Sequence, residues 1–248
     1  MKRILSAVLF LLICAPLFSG DAPSVDRIIR DYNSIRTIKA SIRQQVYMPG
    51  GETRLFSGDY YADNKGNLRI DYSIPAREVV INNSYGLFWY YPEERVVYEK
   101  RGKGGARGYN PLIPGPAIED DLSGLSVSYE GTEFYSFFKR AAVFTIRSER
   151  GGGEVRIWTD PDGLYVIRKY ILDSSGREEV REIYSEHICT GGVYLPGRIE
   201  IFARTSRGIL HTVTLYSNVV INSPLDEALF RFTEGKGYEE RRLDDLSY

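Results

Sequence analysis

Reactive side chains are scarce in this chain. Its 248 residues include two cysteines and two histidines. Cys14 lies inside an N-terminal apolar run, so a leader cleaved after that run leaves Cys189 alone. One thiol forms no internal disulfide, and the fold must then be held by its core. Zinc sites need three or four clustered N, S or O ligands. His187 and His211 stand far apart on strand-like segments, with no HxxxH or CxxC spacing near them, so no metal or other cofactor is expected. Charge of one sign is also lacking: 32 Lys and Arg against 33 Asp and Glu give a formal charge of −1. That balance gives no electrostatic case for nucleic acid. Beyond the N-terminus there is no apolar run of the ~20 residues a membrane-spanning helix needs, so the mature chain is expected to be soluble.

What the N-terminus does have is the layout of a secretory leader. Lys2 and Arg3 precede an apolar stretch over 4–18, and the small residues Ser19 and Gly20 follow. A basic start, a short apolar core and a small-residue exit make residues 1–20 a cleavable signal peptide. The protein is therefore expected to be exported to the periplasm. Two alternatives stand beside this reading: an uncleaved anchor helix, and a lipoprotein signal acylated on Cys14. Against the second, Ile13 occupies the position where that processing wants a small residue. Cleavage after residue 20 takes the formal charge from −1 to −3 by removing Lys2 and Arg3. The remaining 21–248 are enough for a sizeable core and contain no evident linker, so a single domain is expected, with a charged and frayed end over 236–248.

Residues 22–36 carry a helical pattern: Val25, Ile28, Ile29, Tyr32 and Ile35 recur at spacings of three and four. From 38 onward the period changes to two. Strands are expected at 38–46, 55–62, 68–72, 79–81, 87–91 and 96–99, rich in Tyr, Val, Ile and Phe and separated by Gly, Pro and Asn turns. Residues 101–118 break the rhythm with glycines and prolines. Proline lacks the ladder donor, so this segment reads as a long loop or lid, followed by a short helix near 117–122. Strands resume at 125–129 and at 135–146, the latter one strand or two. Further strands follow at 154–159, 165–172, 178–187, 196–205 and 209–217. The Asp160-Pro161-Asp162-Gly163 and Asp173-Ser174-Ser175-Gly176 turns punctuate them. A turn of helix and a last strand end the pattern near Phe232. Evenly spaced strands without intervening helices argue for an antiparallel sheet or barrel.

Catalytic constellations are hard to find. Ser123-Gly124 lacks the flanks of a nucleophile elbow, and Cys189 has no basic neighbour except His187. Three adjacent acids, Glu119, Asp120 and Asp121, do not alternate as calcium ligands do. The glycine-rich stretches near 102–105 and 151–153 are not followed by the helix start of a phosphate loop. Nothing here points to an enzyme. Aromatics are the surplus: 19 tyrosines and 11 phenylalanines. In Leu68-Arg69-Ile70-Asp71-Tyr72 the apolar residues share one face, whereas Leu87-Phe88-Trp89-Tyr90-Tyr91 is apolar on both. Such strands build either an ordinary sandwich core or a half-barrel around an apolar ligand.

Three stretches, taken in order, resemble the LolA family of periplasmic lipoprotein carriers. They are the helix followed by Ile38-Lys39-Ala40-Ser41-Ile42-Arg43-Gln44-Gln45-Val46; the run from Gly58-Asp59-Tyr60 through 68–72, Pro75, Val79-Val80-Ile81 and 87–91 to Pro92; and the 160–172 turn and strand together with the closing Phe230-Arg231-Phe232. The resemblance implies a mainly β fold: a curved antiparallel sheet forming an incomplete, half-open barrel, with the N-terminal helix and a loop or short helix as lid. It implies a non-enzymatic, monomeric carrier that buries lipoprotein acyl chains, receiving them from an inner-membrane lipoprotein-releasing transporter and passing them to an outer-membrane acceptor. Leu68, Ile70, Tyr72, Val80, Phe88, Trp89 and Tyr90 are the expected cavity lining. Ile28, Ile29, Tyr32, Leu112 and Ile113 are the expected lid contacts. Two departures bear on gating: Asn64-Lys65 stands where the family has Arg-Pro, and the segment 101–118 replaces the usual lid helix. A sensor or other lipid-binding module on the same scaffold is the alternative.

Overall fold

A computed structural model describes residues 25–102, 110–113, 125–148, 153–232 and 237–243. The expected signal peptide, the short helix near 117–122 and the end beyond 243 lie outside the described residues.

The first described element is α1 (Asp26–Asn33), whose Ile28 and Tyr32 are buried together with Val25 and Ile35 on either side of it. That spacing puts all four on one stripe of the helix. The helix is pinned at its exit. Asn222 accepts from the Arg36 amide at 2.7 Å and donates to the Ser34 carbonyl at 3.3 Å, and its own φ of 57° is one that asparagine tolerates.

Six strands follow as a meander: β1 (Thr37–Tyr47), β2 (Thr53–Asp63), β3 (Leu68–Ile74), β4 (Glu78–Asn83), β5 (Gly86–Tyr91) and β6 (Val96–Arg101). The second half comprises β7 (Leu125–Ser136), β8 (Lys139–Ser148), β9 (Glu154–Thr159), β10 (Val166–Leu172), β11 (Glu178–Ser185), β14 (Arg198–Thr205) and β15 (Gly208–Ile221). Between β11 and β14 lies a separate small hairpin around Cys189, β12 (Ile188–Thr190) and β13 (Val193–Leu195), which the alternation did not single out. The strand expected over 135–146 is two: the chain reverses at Phe137-Phe138. The end expected to be frayed contains β16 (Glu239–Arg242), which pairs in parallel with β6.

Fourteen of these strands form one curved, open sheet in the order β16-β6-β5-β4-β3-β2-β1-β15-β14-β11-β10-β9-β8-β7. The fold is mainly β, a half-barrel with one helix. The two halves meet in the middle, where β1 pairs with β15 from Ile38↔Ile221 to Tyr47↔His211. Tight strand crossing is built in at Gly58, beside a register shift between β2 and β3; a Cβ there would stand 2.1 Å from the Asp71 carbonyl oxygen.

The two faces of the sheet differ. On one, residues from β1, β2, β3, β8, β9, β11, β14 and β15 form a single buried cluster with α1, including Ile38, Tyr60, Tyr72, Phe144, Ile157 and Ile199. Strands from both halves reach one cluster, so this is the inside of the curve. The outer face carries two smaller clusters. One joins Val79, Ile81, Phe88, Tyr90 and Val97 under Phe232 and Tyr238. The other is Ala141, Val143, Trp158 and Ile167. Between Trp158 and β1 the outer face is covered by its own side chains. Arg168 lies over Trp158 and Tyr170, Arg181 lies over Tyr170 and Phe202, and His211 stacks between Phe202 and Tyr47 at centroid distances of 4.1 and 4.9 Å.

Candidate functional site

The inner face is the candidate site, and its register explains its chemistry. Cross-strand partners share a face. Ile38 faces Ala62, Ala40 faces Tyr60, and Ile70 faces Val80, which faces Trp89. On the other side of the β1–β15 junction the inner row runs through Ile199 and Tyr184, and through Ile157 and Phe144. The result is an apolar floor crossing most of the sheet.

Two pieces of chain cover that floor. The first is α1. The Tyr32 hydroxyl is buried with no hydrogen-bond partner among the described residues, and burial, partly offset by the nearby Val166 backbone, pushes its pKa well above the ordinary value. The second is the segment Asn110–Ile113, part of the connection between β6 and β7. Leu112 is fully buried within the inner cluster, and Ile113 packs against it. A side-chain bond ties the segment to the floor: Tyr60 Oη donates to Asn110 Oδ1 at 2.5 Å. Asn110 Oδ1 also accepts from the Leu112 amide at 3.0 Å, which fixes the turn that presents Leu112.

Polar groups interrupt the floor in two places. Tyr72 Oη donates to Gln44 Oε1 at 3.1 Å, and Gln44 Nε2 donates to Thr214 Oγ1 at 3.1 Å. Lys169 and Glu182, cross-strand partners on β10 and β11, form an ion pair at 2.8 Å with side chains 5% and 2% exposed. Tyr184 donates to the same Glu182 carboxylate. A charge pair this dry needs every partner it has. At the flank, Glu78 is buried and accepts from Trp89 Nε1 at 3.0 Å; burial raises its pKa, and the indole bond moderates the rise. His187, near the β12–β13 hairpin, is held below its ordinary pKa by burial, against the pull of the Val166 carbonyl at 2.9 Å. Among the described residues no three of His, Cys, Asp and Glu converge as a metal site would require.

The expected lining residues divide between the two faces. Leu68, Ile70, Tyr72 and Val80 belong to or pack against the inner cluster, and Trp89 shares their face through Val80. Phe88 and Tyr90 are on the outer face, Phe88 stacked on Phe232 at 5.5 Å and Tyr90 edge-on to it at 5.4 Å. One lining cannot contain both groups; strand period forbids it. The five expected lid residues, Ile28, Ile29, Tyr32, Leu112 and Ile113, do come together on the inner face. Asn64-Lys65 ties elsewhere: the Asn64 amide bonds the Arg36 carbonyl, and Lys65 Nζ meets Glu227 at 2.6 Å, both side chains exposed. Sequence reasoning missed Gln44, Phe144, Ile157, Lys169, Glu182 and Tyr184. Alternation in β8 to β11 marks the last five as a face, but nothing in the sequence says that this face continues the inner floor of β1–β3, where Gln44 lies. Outside this site, an open cleft of about 410 Å³ lies on the outer side among Asn83, Tyr85, Phe88, Arg101, Arg231 and Phe232.

No family model and no curated protein matches the sequence. Solved structures do match the fold. A DUF1329 family protein from Desulfovibrio piger superposes with a TM-score of 0.62 at 15% identity, over 84% of this chain and 96% of that one. A LolA superfamily protein from Nitrosomonas europaea gives 0.58 at 15% identity, over 85% and 98%. A putative outer membrane lipoprotein-sorting protein domain from Vibrio parahaemolyticus gives 0.55 at 11% identity, over 84% and 97%. The fold of this chain is that of LolA-superfamily and lipoprotein-sorting proteins, as the sequence resemblance implied.

Proposed function

We propose that the protein is a lipid-chain carrier: it buries lipoprotein acyl chains on the inner face of the half-barrel and moves lipoproteins from an inner to an outer membrane. The observation that carries this reading is the continuous apolar inner face. It spans both halves of the sheet, and the helix and the Asn110–Ile113 segment pack against it without being strands of the sheet. Similarity to structures described as LolA superfamily and lipoprotein-sorting supports the assignment.

The energetics suit reversible exchange. A buried acyl chain gains about 0.8 kcal/mol per methylene, so ten methylenes gain roughly 8 kcal/mol. Lifting Leu112, Ile113 and the helix side chains off the floor forfeits about 1.5–3 kcal/mol each. The two sums are of the same order, so cargo replaces cover without becoming trapped. Export by residues 1–20, loading from an inner-membrane transporter and delivery to an outer-membrane acceptor belong to the same proposal. Binding rather than catalysis is the task.

The same scaffold and the same apolar inner face also suit a second reading, a periplasmic lipid-binding or sensor module. A release assay separates the two. The purified protein without residues 1–20 is mixed with inner-membrane vesicles carrying a lipidated client. The carrier releases the client in a soluble one-to-one complex; a sensor binds lipid but releases nothing. No release together with no bound lipid by native mass spectrometry defeats both.

A further inference from the structure

The turn joining β7 and β8 places two apolar residues where water is unavoidable. Phe137 and Phe138 form the two-residue tip and are 90% and 87% exposed, their rings packed edge-on against each other at 5.2 Å. Lys139 and Arg140 follow directly and are exposed, and the Arg140 guanidinium lies over Phe134, itself 66% exposed, at 5.1 Å. The nearest acids on the hairpin are engaged further back: Glu133 accepts from Trp158 Nε1 at 2.9 Å and Glu130 from Ser128 Oγ at 2.8 Å. Strand order puts this tip at the same end of the sheet as the β4–β5 turn, where Tyr85 is 75% exposed.

A two-residue turn takes glycine, asparagine or aspartate when only geometry matters. Two phenylalanines there serve neither turn nor core. Their combined surface, roughly 300–500 Å², falls short of the ~800 Å² per partner of a stable protein interface. It suits a bilayer, which takes a protruding apolar tip without a shaped pocket and holds basic residues at its headgroups. We propose that the β7–β8 hairpin is a membrane-docking wedge: Phe137 and Phe138 enter the interface of an anionic phospholipid bilayer while Lys139 and Arg140 face its headgroups.

Vesicle co-sedimentation of the exported chain, without residues 1–20, tests this independently of any cargo. The protein should sediment with phosphatidylglycerol/phosphatidylethanolamine vesicles, less with phosphatidylcholine, and less in high salt. Phe137→Ser with Phe138→Ser should weaken partitioning at least about tenfold. Lys139→Glu with Arg140→Glu should erase the preference for phosphatidylglycerol while leaving the residual apolar binding. All four side chains are exposed, so thermal midpoints should stay at the native value. Binding of a detergent-dispersed acyl chain should also survive in both variants, which separates loss of docking from loss of the carrier site. No sedimentation of the native chain, or equal sedimentation of native and variants, overturns the proposal. So does tip-dependent self-association without vesicle binding, which would make a second copy the occupant.

Discussion

The inner and outer faces of the sheet are built from the same strands but are covered differently. The inner face has one apolar cluster spanning both halves and a cover of separate small pieces, α1 and Asn110–Ile113. The outer face has two smaller clusters, one of them sealed by the C-terminal Phe232 and Tyr238 and the rest roofed by its own Arg–aromatic stacks. Among the described residues, outer coverage comes from neighbours in the sheet or from Phe232 and Tyr238, whereas inner coverage comes from α1 and Asn110–Ile113, which pair with no strand. On the proposed carrier reading, exchange belongs to the inner face alone.

Four substitutions test that division. The largest effect is expected inside, at the ion pair. Lys169→Met strands Glu182 without its cation in a dry site and should cost about 3–5 kcal/mol in denaturant unfolding; a loss below about 1 kcal/mol would show water reaching the pair. Next is Phe88→Ala on the outer face, at about 3 kcal/mol. Its acyl-chain affinity, scaled to folded protein, should match the native value; a matched loss of binding would show that the faces are not independent. Tyr60→Phe removes the bond to Asn110 and should cost only about 1 kcal/mol. It should nonetheless raise the uptake of an apolar fluorescent probe, because the cover opens more often. The smallest effect is expected at Glu78. Its pKa is raised on folding, so the unfolded chain loses its proton first, near 4.5. Stability contributed there is present below that pH and is lost as pH rises through the folded value. Glu78→Gln should therefore flatten this part of the stability curve and modestly raise the thermal midpoint at pH 7, provided the amide still accepts from Trp89.

Legibility in the sequence followed wetness. In β3 the alternation was readable because one face meets water: Arg69 and Asp71 pair outside at 2.8 Å while Leu68, Ile70 and Tyr72 point in. In β5 it was not, because Trp89 and Phe88 are covered on opposite faces and neither side is polar. The turn at Phe137-Phe138 was hidden because it carries no turn residue. β16 was hidden because its four charged residues lack a strand pattern; Arg241 and Glu239 pair with each other at 2.8 Å along an exposed edge. The inner ion pair was illegible for another reason: Lys169 and Glu182 look like two surface charges until the hairpin register sets them opposite each other.

Strands β6 and β7 lie toward opposite edges of the open sheet, and of the chain between them Asn110–Ile113 is docked on the inner floor. Leu112 shares one buried cluster with strands of both halves, so a single side chain acts as a button between two lapels. On the proposed carrier reading, cargo that takes the place of Leu112 must close the same join.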